Sequence, residues 1–380
     1  MRNHVPFRRS GPARLFYTVA LCFLFMTSLS AKELRLVSGV PPLHPGHNPL
    51  YTEFTKLLPE YSDGALSGRI LGTEIATVRN MRAAIRSGLV EVGLFLPAYF
   101  PADLPNFNLI GDLSMYGGDP QVTTAAATEY MLTCSDCLAE FSELGAVYTS
   151  THSTDGYRLL AKKSVINPED LKTMRIRVAT PQHSRWVEAM GARPISLAAG
   201  EVFEALSQGI IDATIASISD LRVYNLSEVI SHATLIDLGT FRSTANHTVK
   251  DSVWRKFSEK EREAFFLAAF NSSILATHKW KQMADSSRKL AEESNIPLLN
   301  PSPELESQTV RFKEEDLPKA IEQAQESFNI SDAKQKIARF QELVEKWDGL
   351  LSDVKDDPES ILAIYRSEIL SGIDLANYGQ

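Results

Sequence analysis

Alternating and helically spaced apolar residues follow one another along the chain and predict strands interleaved with helices. In the segment 174–178, Ile176 and Val178 alternate with two arginines, which predicts a strand with one buried face. Pro168 and the two acids after it are typical of the helix start that precedes this strand. Residues 34–38 alternate in the same way and predict a first strand. The pattern is that of an α/β protein.

One pattern occurs twice. Residues 84–91 and 205–212 each end a helix, continue with a glycine and two aliphatic residues, and close on an acid. Gly88 and Gly209 would supply the left-handed residue that ends a helix, and the aliphatic pair is expected to open a strand. Chance recurrence of a common junction is the alternative. A protein of two similar lobes, with one copy in each, predicts the duplication.

The longest periodic segment begins at Ser258, where Ser258 and Glu261 form the capping-box pattern of a helix N-terminus. The helix is expected to run to Ser294, about 55 Å at 1.5 Å per residue, and a helix of that length can brace two lobes. Nearer the C-terminus, apolar residues at helical spacing predict core stripes that cover the second lobe. The members of this stripe are Ile337, Phe340, Leu343, Val344 and Trp347.

The first 31 residues carry four arginines and no acid, then an apolar run and small residues. This is typical of a secretory signal peptide cleaved after Ser30 or Ala31, so a periplasmic protein is expected. Removing the four arginines from 39 basic residues leaves 35 against 47 acidic ones, a net charge of about −12. That balance argues against nucleic-acid binding. About 350 remaining residues suit two lobes.

Cys134 and Cys137 form a CxxC pattern in a segment that predicts a helix over residues 123–144. They are the only cysteines left after the signal segment, so in an oxidising compartment a short-loop disulfide is expected. A redox centre or half of a zinc site are the alternatives. Because there is no second CxxC and the flanking residues look like ordinary packing, neither a metal nor a cofactor is expected.

The central block carries a family resemblance. Pro-Glu-Asp-Leu-Lys-x-Met-Arg-Ile-Arg-Val at 168–178, Gly-Ala-Arg-Pro at 191–194 and Glu-Val-Phe-Glu-Ala-Leu-Ser-Gln-Gly-Ile-Ile-Asp at 201–212 are its motifs. With them the chain resembles the extracytoplasmic solute-binding proteins of TRAP transporters, the DctP-type family, up to about residue 300. The resemblance implies a two-lobed, type 2-like periplasmic binding protein with a ligand cleft between the lobes and a long spanning helix.

The expected domain organisation follows from this resemblance. We predict a signal peptide at residues 1–31 and a first lobe formed by residues 32–150 plus 240–275. The second lobe is predicted from residues 151–239 plus 276–380, including the C-terminal helices.

The resemblance also implies the ligand contacts. Arg177 would grip the carboxylate of an organic acid, a pairing that suits the planar fork of a guanidinium. Arg158, in the string Asp-Gly-Tyr-Arg at 155–158, would add a second contact. The alternative is that the arginines of the 174–178 strand are solvated or pair with Glu169 or Asp170.

Loops that follow predicted strands are expected to complete the cleft. The proline-rich loop at 39–48 lies where open α/β sheets bind ligands, and the aromatic loop at 97–107 could line the cleft or pack its own lobe. A third segment follows the second crossing between the lobes. The candidates from these loops are His44, His47, Asn48, Tyr99, Phe100 and Asn246.

Two positions depart from the family pattern. Ala199 stands where the family often has an aromatic residue, and the segment 212–217, with Ala216, replaces a Glu-Asn-Pro string. A ring and an amide are thereby exchanged for methyl groups. We therefore expect a roomier, more apolar pocket for a carboxylate with a larger apolar or aromatic body, rather than for a small C4 dicarboxylate.

The predicted function is that of a high-affinity, monomeric periplasmic component that captures an organic acid and delivers it to the TRAP membrane permease. A ligand-binding partner of a membrane sensor is the alternative. An enzyme is not expected, because the sequence contains no nucleophile elbow, Walker loop, HExxH motif or dinucleotide fingerprint.

Overall fold

The computed structural model describes residues 1, 2, 4 and 31–380. The predicted signal peptide thus falls, but for a few residues, outside the described part of the chain. Residues 31–380 contain two β-sheets with helices packed around them, a mixed α/β architecture. None of the helices described is both long enough and apolar enough to cross a bilayer.

The first sheet has the strand order β2-β1-β3-β10-β4. Its strands are β1 (Lys32–Val37), β2 (Leu66–Ile70), β3 (Val92–Phe95), β4 (Ala146–Val147) and β10 (Ala245–Lys250). β1 pairs in parallel with β2 and β3, while β10 runs antiparallel to β3 and β4. β10 lies about 100 residues after β4 in the chain, and most strands of the second sheet lie between them. The first lobe therefore consists of segments that are not continuous in sequence.

The second sheet has the strand order β11-β9-β5-β8-β6-β7. Its strands are β5 (Tyr157–Ala161), β6 (Arg175–Val178), β7 (Arg193–Ser196), β8 (Ala213–Ser217), β9 (His232–Thr234) and β11 (Leu298–Leu299). β6 lies between β7 and β8 and is parallel to both. The predicted strand around Ile176 and Val178 is therefore an interior strand, which explains why both aliphatic side chains are buried.

Helices connect and cover the two sheets. They are α1 (Leu50–Tyr61), α2 (Met81–Ser87), α3 (Pro105–Gly111), α4 (Pro120–Thr133), α5 (Ser135–Glu143), α6 (Pro168–Leu171), α7 (Pro181–Ala189), α8 (Val202–Ser207), α9 (Asp220–Val223), α10 (Asp251–Trp254), α11 (Glu259–Glu293), α12 (Pro303–Phe328), α13 (Ala333–Leu351) and α14 (Pro358–Glu368). α6 begins at Pro168, as predicted, and Asn167 and Asp170 form its capping box.

The predicted spanning helix is confirmed as α11. Ser258 is its N-cap, and the side chain of Ser258 accepts a hydrogen bond from the backbone N–H of Glu261, which closes the capping box. With 35 residues, α11 is about 52 Å long at 1.5 Å per residue. It packs against α1 and α4 beside the first sheet and against α9 beside the second, so it braces both lobes.

The repeated junction is present in both lobes. Gly88 and Gly209 have φ values of 78° and 68°, the left-handed conformation expected at a helix end. The aliphatic pairs do not open the strands, because β3 and β8 begin only after the acids. In both copies the first aliphatic residue is half exposed and the second is buried, at 50% and 0% in the first lobe and 49% and 0% in the second.

The acids of the two junctions perform the same task. The backbone N–H of Arg35 donates to Glu91 at 2.9 Å, and that of Arg175 donates to Asp212 at 2.8 Å. Each acid also pairs with the side chain of the arginine whose backbone it caps. The duplication seen in the sequence is therefore a structural repeat, with one copy on each sheet.

The C-terminal helices correct one prediction. α13 and α14 pack on the first lobe, whereas the sequence reading placed them on the second. α4 is buried on nearly every side, so it needs a covering helix, and α13 lies along it. The indole Nε1 of Trp347 donates to Glu129 at 2.6 Å, which ties α13 to α4. An apolar stripe shows that a helix face is buried, but it does not identify the partner.

The CxxC segment also differs from its prediction as one helix. Residues 123–144 contain the end of α4 and all of α5, separated at Cys134, whose backbone is extended and forms the N-cap of α5. Cys134 and Cys137 are joined by a disulfide with an S–S distance of 2.08 Å. The described residues contain no cluster of three or more His, Cys, Asp or Glu side chains able to hold a metal ion.

Candidate ligand-binding site

Arg177 lies near the C-terminal end of β6, where parallel strands present side chains to a ligand cleft. Its side chain is buried, with only 2% exposed. The Nε atom donates to the carbonyl oxygen of Leu197 at 2.9 Å, and Nη1 is 3.4 Å from that of Ile215. Nη2 has no hydrogen-bond partner among the described residues. The protein thus fixes the guanidinium from behind and leaves one nitrogen available.

Arg175, two residues earlier on the same strand, has a carboxylate partner. Its Nε and Nη2 atoms donate to the two carboxylate oxygens of Asp212 at 3.0 and 2.7 Å, a bidentate pair at the partly exposed end of the strand. By contrast, no carboxylate oxygen in the described chain lies within 4.0 Å of the guanidinium nitrogens of Arg177. Neither arginine pairs with Glu169 or Asp170, the alternative left open by the sequence.

Arg177 faces a cavity of about 50 Å³ between the lobes. The cavity is bounded by β3 and the loop after β1 on one side, and by β6, α9 and the turn before α8 on the other. The wall is completed by the two segments that cross between the lobes, around His152 and around Phe241, and by Trp280 in the middle of α11. Seven of the 17 lining residues carry rings: His44, Tyr99, His152, Tyr157, Tyr224, Phe241 and Trp280.

Several of these rings contact one another across the cavity wall. His44 lies edge-on to Trp280, with ring centroids 5.0 Å apart, and to Tyr224, 5.8 Å apart. The rings of Tyr157 and Phe241 are nearly parallel, with centroids 6.3 Å apart. Such a wall offers flat apolar faces to a ligand while Arg177 supplies the charge.

The histidines in the wall are neutral. Burial, with smaller contributions from the nearby His152 and His47, lowers the pKa of His44 to about 3. Burial also lowers the pKa of His152 to about 4, opposed by the hydrogen bond between its Nδ1 and Asn246 at 2.7 Å. At neutral pH, therefore, Arg177 has no cationic histidine beside it.

Two buried carboxyl groups lie near Arg177. Burial raises the pKa of Asp220 to about 8; Asp155 raises it as well, and Arg177 lowers it. Burial also raises the pKa of Asp155 to about 7, with a hydrogen bond from Ser217 and the charge of Arg158 opposing the change. Asp220 lines the cavity, whereas Asp155 is not part of its lining.

The structure brings together four of the residues named from the sequence: Arg177, His44, Tyr99 and Ala199 all line the cavity. The Tyr99 hydroxyl reaches the second lobe. Phe100, which was named as a candidate together with Tyr99, stacks instead on Phe95 within the first lobe, with ring centroids 4.9 Å apart.

Arg158 is a correction. Successive side chains of β5 point to opposite faces, and Tyr157 is the one that faces the cavity. The guanidinium of Arg158 lies on the other face, where Nη1 donates to the carbonyl oxygens of Tyr157 and Ile236 and is 3.5 Å from Asp237. The predicted second carboxylate contact is therefore absent from this cavity.

Four other predicted contacts also lie outside the cavity. Asn48 is exposed and its side chain accepts a hydrogen bond from Thr52 at 3.1 Å. Ala216 is packed in the core of the second lobe, because it points to the opposite face of β8 from the cleft. Asn246 is buried behind the wall and orients His152. His47, in the same loop as Asn48, bonds Ser38 at 2.8 Å instead.

Sequence reasoning missed most of the aromatic wall. Tyr157 is adjacent to Arg158, the predicted contact, and strand alternation alone does not decide which of the two faces the cleft. Tyr224 directly follows α9 and was not among the candidates. The local sequence did not mark the other four residues of the wall. His152 and Phe241 lie in the segments that cross between the lobes, Trp280 lies in the long helix α11, and Asp220 lies in the four-residue helix α9.

A second cleft of about 470 Å³ lies between the lobes near α7 and α12. Its arginine, Arg185, is already paired, with Asp112 at 2.9 Å and with Asp316 at 2.6 Å. The larger cleft thus lacks the unpaired buried guanidinium that is found at the smaller cavity.

Comparison with known proteins identifies the family and the fold of the chain. Residues 36–323 match the model of the DctP family, described as bacterial extracellular solute-binding protein, family 7. A curated solute-binding protein of Roseobacter denitrificans is 32% identical over 114 residues, which cover 29% of this chain and 34% of that protein. The chain thus spans about a third of the length of that relative.

Two solved structures share the fold. A TRAP periplasmic solute-binding protein from Bordetella bronchiseptica with bound (R)- and (S)-mandelate has a TM-score of 0.72 and 22% identity, over 83% of this chain and 99% of that one. A TRAP solute-binding protein from Rhodoferax ferrireducens, in complex with copurified benzoate, has a TM-score of 0.73 and 16% identity, over 84% and 99%.

Proposed function

The chain belongs to the DctP-type bacterial extracellular solute-binding proteins of family 7, and from that premise we propose that it captures an aromatic organic acid for a TRAP transporter. The acid would bind in the periplasm, in the cavity at Arg177, and be delivered to the membrane permease. The observation that carries this proposal is a buried guanidinium with a free nitrogen facing a wall of aromatic rings.

The charge of the site favours a carboxylate. A buried cation without a counter-ion is costly, and an anionic ligand supplies the missing charge. The ring-lined wall favours a ligand with a flat apolar body, and the ligands named for the two solved relatives, mandelate and benzoate, are of that kind. The methyl of Ala199 in the lining agrees with this expectation, although Ala216 does not contribute to it.

Closure of the lobes is the proposed step that retains the ligand. Residues from both lobes line the cavity, so a ligand that contacts both sides stabilises the closed arrangement by its differential affinity for it. A cavity of about 150 Å³ accommodates benzene, so the lobes must part further than in this structure, where the cavity is about 50 Å³. The permease would recognise the form in which the lobes have closed on the ligand.

A ligand screen of the protein without residues 1–31 tests the proposal. The panel contrasts aromatic acids (benzoate, phenylacetate, mandelate) with small or sugar-derived acids (succinate, malate, glucuronate) in thermal unfolding, followed by calorimetry. A ligand at 100 times its dissociation constant adds about 2.7 kcal/mol of stability, so a binder is readily detected. Tightest binding of succinate or malate would remove the aromatic part of the proposal, and binding of no acid would remove the whole of it.

A further inference from the structure

The cavity contains an acidic side chain whose polar atoms have no partner in the described chain. Asp220 is the first residue of α9, is 7% exposed and lines the cavity. Its Oδ1 atom is fully buried without a hydrogen bond, and Oδ2 accepts none from any described residue. Since buried polar groups are nearly always paired, an unpaired carboxyl in a ligand cavity indicates that its partner comes from the ligand.

The neighbouring acid shows that the fold can satisfy a carboxyl here. Asp155 accepts a hydrogen bond from the hydroxyl of Ser217 and is 3.5 Å from that of Ser219. Asp220 has no such donors. It does not pair with Arg177 either, because no Asp220 oxygen comes within 4.0 Å of the guanidinium nitrogens. The cavity thus presents a cation and an acid as two separate contacts.

Resting on the proposed function, we infer that Asp220 accepts a hydrogen bond from a hydroxyl group of the ligand, and that the ligand class is the hydroxylated aromatic acids. Arg177 would hold the carboxylate and Asp220 the hydroxyl, and the rings of the wall would contact the body between them.

The surroundings favour a hydroxyl over an ammonium group. The groups that face or influence Asp220 are Asp155, Arg177, the phenols Tyr99, Tyr157 and Tyr224, and the neutral His44 and His152. In this setting burial raises the pKa of Asp220 to about 8, so near pH 7 the carboxyl is largely protonated. A protonated carboxyl still accepts a hydrogen bond, but it carries no charge to offset that of an ammonium.

Trp280 gives a second reason. It lines the same cavity, and its indole Nε1 is buried without an acceptor. A hydroxyl both donates and accepts, whereas an ammonium only donates. A hydroxyl can therefore pair with either kind of unpaired atom in this wall, whereas an ammonium cannot accept from the indole.

His152 is the competing acceptor. Its Nδ1 bonds the side-chain oxygen of Asn246, which leaves Nε2 as an unprotonated nitrogen with no partner in the described chain. Nε2 of His152 and the carboxyl of Asp220 are thus both unpaired acceptors in the cavity wall, and variants of the two residues distinguish them.

The test is calorimetry with a matched ligand series that shares one ring and one carboxylate. Phenylacetate, mandelate, 3-hydroxyphenylacetate, 4-hydroxyphenylacetate and phenylglycine differ only in the presence, position and charge of the donor. We expect at least one hydroxylated member to bind about two- to tenfold more tightly than phenylacetate, the contribution of one hydrogen bond to a neutral group. We expect phenylglycine to gain nothing.

Variants assign the effect to a residue. Asp220→Ala should abolish the preference for the hydroxyl while phenylacetate still binds, and Asp220→Asn, which keeps a carbonyl oxygen, should retain most of it. Trp280→Phe keeps the ring without the donor and should reduce the preference in part. Glu169→Ala, an exposed acid outside the cavity, is the matched control and should change nothing.

The outcomes separate this inference from the function on which it rests. If phenylacetate binds as tightly as every hydroxylated member, the inference is overturned and the proposed function stands. If His152→Gln abolishes the preference and Asp220→Ala does not, the role passes to His152 and the assignment to Asp220 is wrong. If no member of the series binds the wild-type protein, the aromatic function itself is contradicted. Should Asp220→Ala fail to fold, His152→Gln decides between the two acceptors: a retained preference leaves the role with Asp220, and a lost preference passes it to His152.

Discussion

The hydroxyl oxygen of Tyr99 accepts a hydrogen bond from the backbone N–H of Ala199 at 3.1 Å, and this bond joins the two lobes across the cleft. Tyr99 follows β3 of the first sheet, and Ala199 follows β7 of the second. Both residues also line the cavity. One side chain therefore provides both a contact between the two lobes and part of the cavity wall.

Tyr99→Phe should weaken ligand binding about two- to tenfold, the contribution of one hydrogen bond to a neutral group. The ring remains in the wall, so the loss should appear mainly as faster ligand release from a less stable closed form. Stopped-flow fluorescence measures that rate. Phe100→Leu, which disturbs the stack on Phe95 within the first lobe, serves as the control and should lower thermal stability with little effect on release. An unchanged release rate in Tyr99→Phe would show that the bond does not stabilise closure.

Arg177→Ala should weaken binding of any carboxylate ligand by roughly 2 to 5 kcal/mol, because the bound anion would be buried without its partner. That loss corresponds to on the order of thirty-fold to several thousand-fold in the dissociation constant. Arg177→Lys should also lose affinity, since an ammonium cannot reproduce the fork.

Arg175→Ala is the matched control for Arg177, since it lies two residues earlier on β6 and pairs with Asp212 outside the cavity. The dissociation constant of the ligand from Arg175→Ala, measured by calorimetry, should equal that from the wild-type protein. Equal affinities for Arg177→Ala and wild type would remove Arg177 from the site.

Asp220→Asn should stabilise the ligand-free protein at alkaline pH. In the folded protein the pKa of Asp220 is raised from 3.8 to about 8, so between these values the native state binds more protons than the unfolded state. Stability contributed by this group is therefore full below about pH 4 and falls as the pH rises towards 8. The melting temperature of Asp220→Asn relative to wild type should rise from pH 5 to pH 8 and then level off.

Asp170→Asn provides the opposite case for this pH series. Hydrogen bonds from the backbone N–H groups of Asn167 and Ile166 lower the pKa of Asp170 below 3.8. Its stabilising contribution is therefore complete above that value and does not change between pH 5 and 9. The difference from wild type should be flat across this range. A flat difference for Asp220→Asn as well would contradict the burial of an unpaired carboxyl.

Arg185→Ala should destabilise the fold by about 3 to 5 kcal/mol, because it leaves buried carboxylates without their counter-ion. Arg185 of α7 bridges Asp112 beside the first sheet and Asp316 of α12, and the side chain of Asp316 is fully buried. Chemical denaturation measures the loss. Lys281→Ala, which breaks an exposed pair with Asp356, should cost at most about 1 kcal/mol. Similar losses in the two variants would show that the bridge at Arg185 is no more than a surface pair.

Some parts of the site could be read from neighbouring residues. The alternation around Ile176 and Val178 predicted β6 and placed Arg177 at its end, and the position of parallel strand ends in a sheet then placed Arg177 at the cleft. The capping box at Ser258 predicted α11, and the paired glycine junctions predicted two lobes. These features depend on contacts within about four residues or on the twofold period of a strand, so the order of residues contains them.

Other parts required the assembled chain. Arg158 and Tyr157 are adjacent, and a shift of one residue exchanges the face to which a strand side chain points, so the family match alone selected the wrong one. The stripe on α13 predicted burial correctly, but only the tertiary structure showed that this face packs on α4 and so covers the first lobe. Ala216 and Asn246 are on the expected elements but point into the core and towards His152.

By itself, the order of residues determined the strand that carries Arg177, the limits of α11, the duplicated junction and the family to which the chain belongs, because each of these is a local pattern. Only the tertiary structure decided that Trp280 of the long helix and Asp220 of the second lobe meet His44 and Tyr99 of the first in one cavity. The reason is physical: these residues are brought together by the packing of two sheets and a helix, and no short-range periodicity encodes which distant surfaces will be buried against each other.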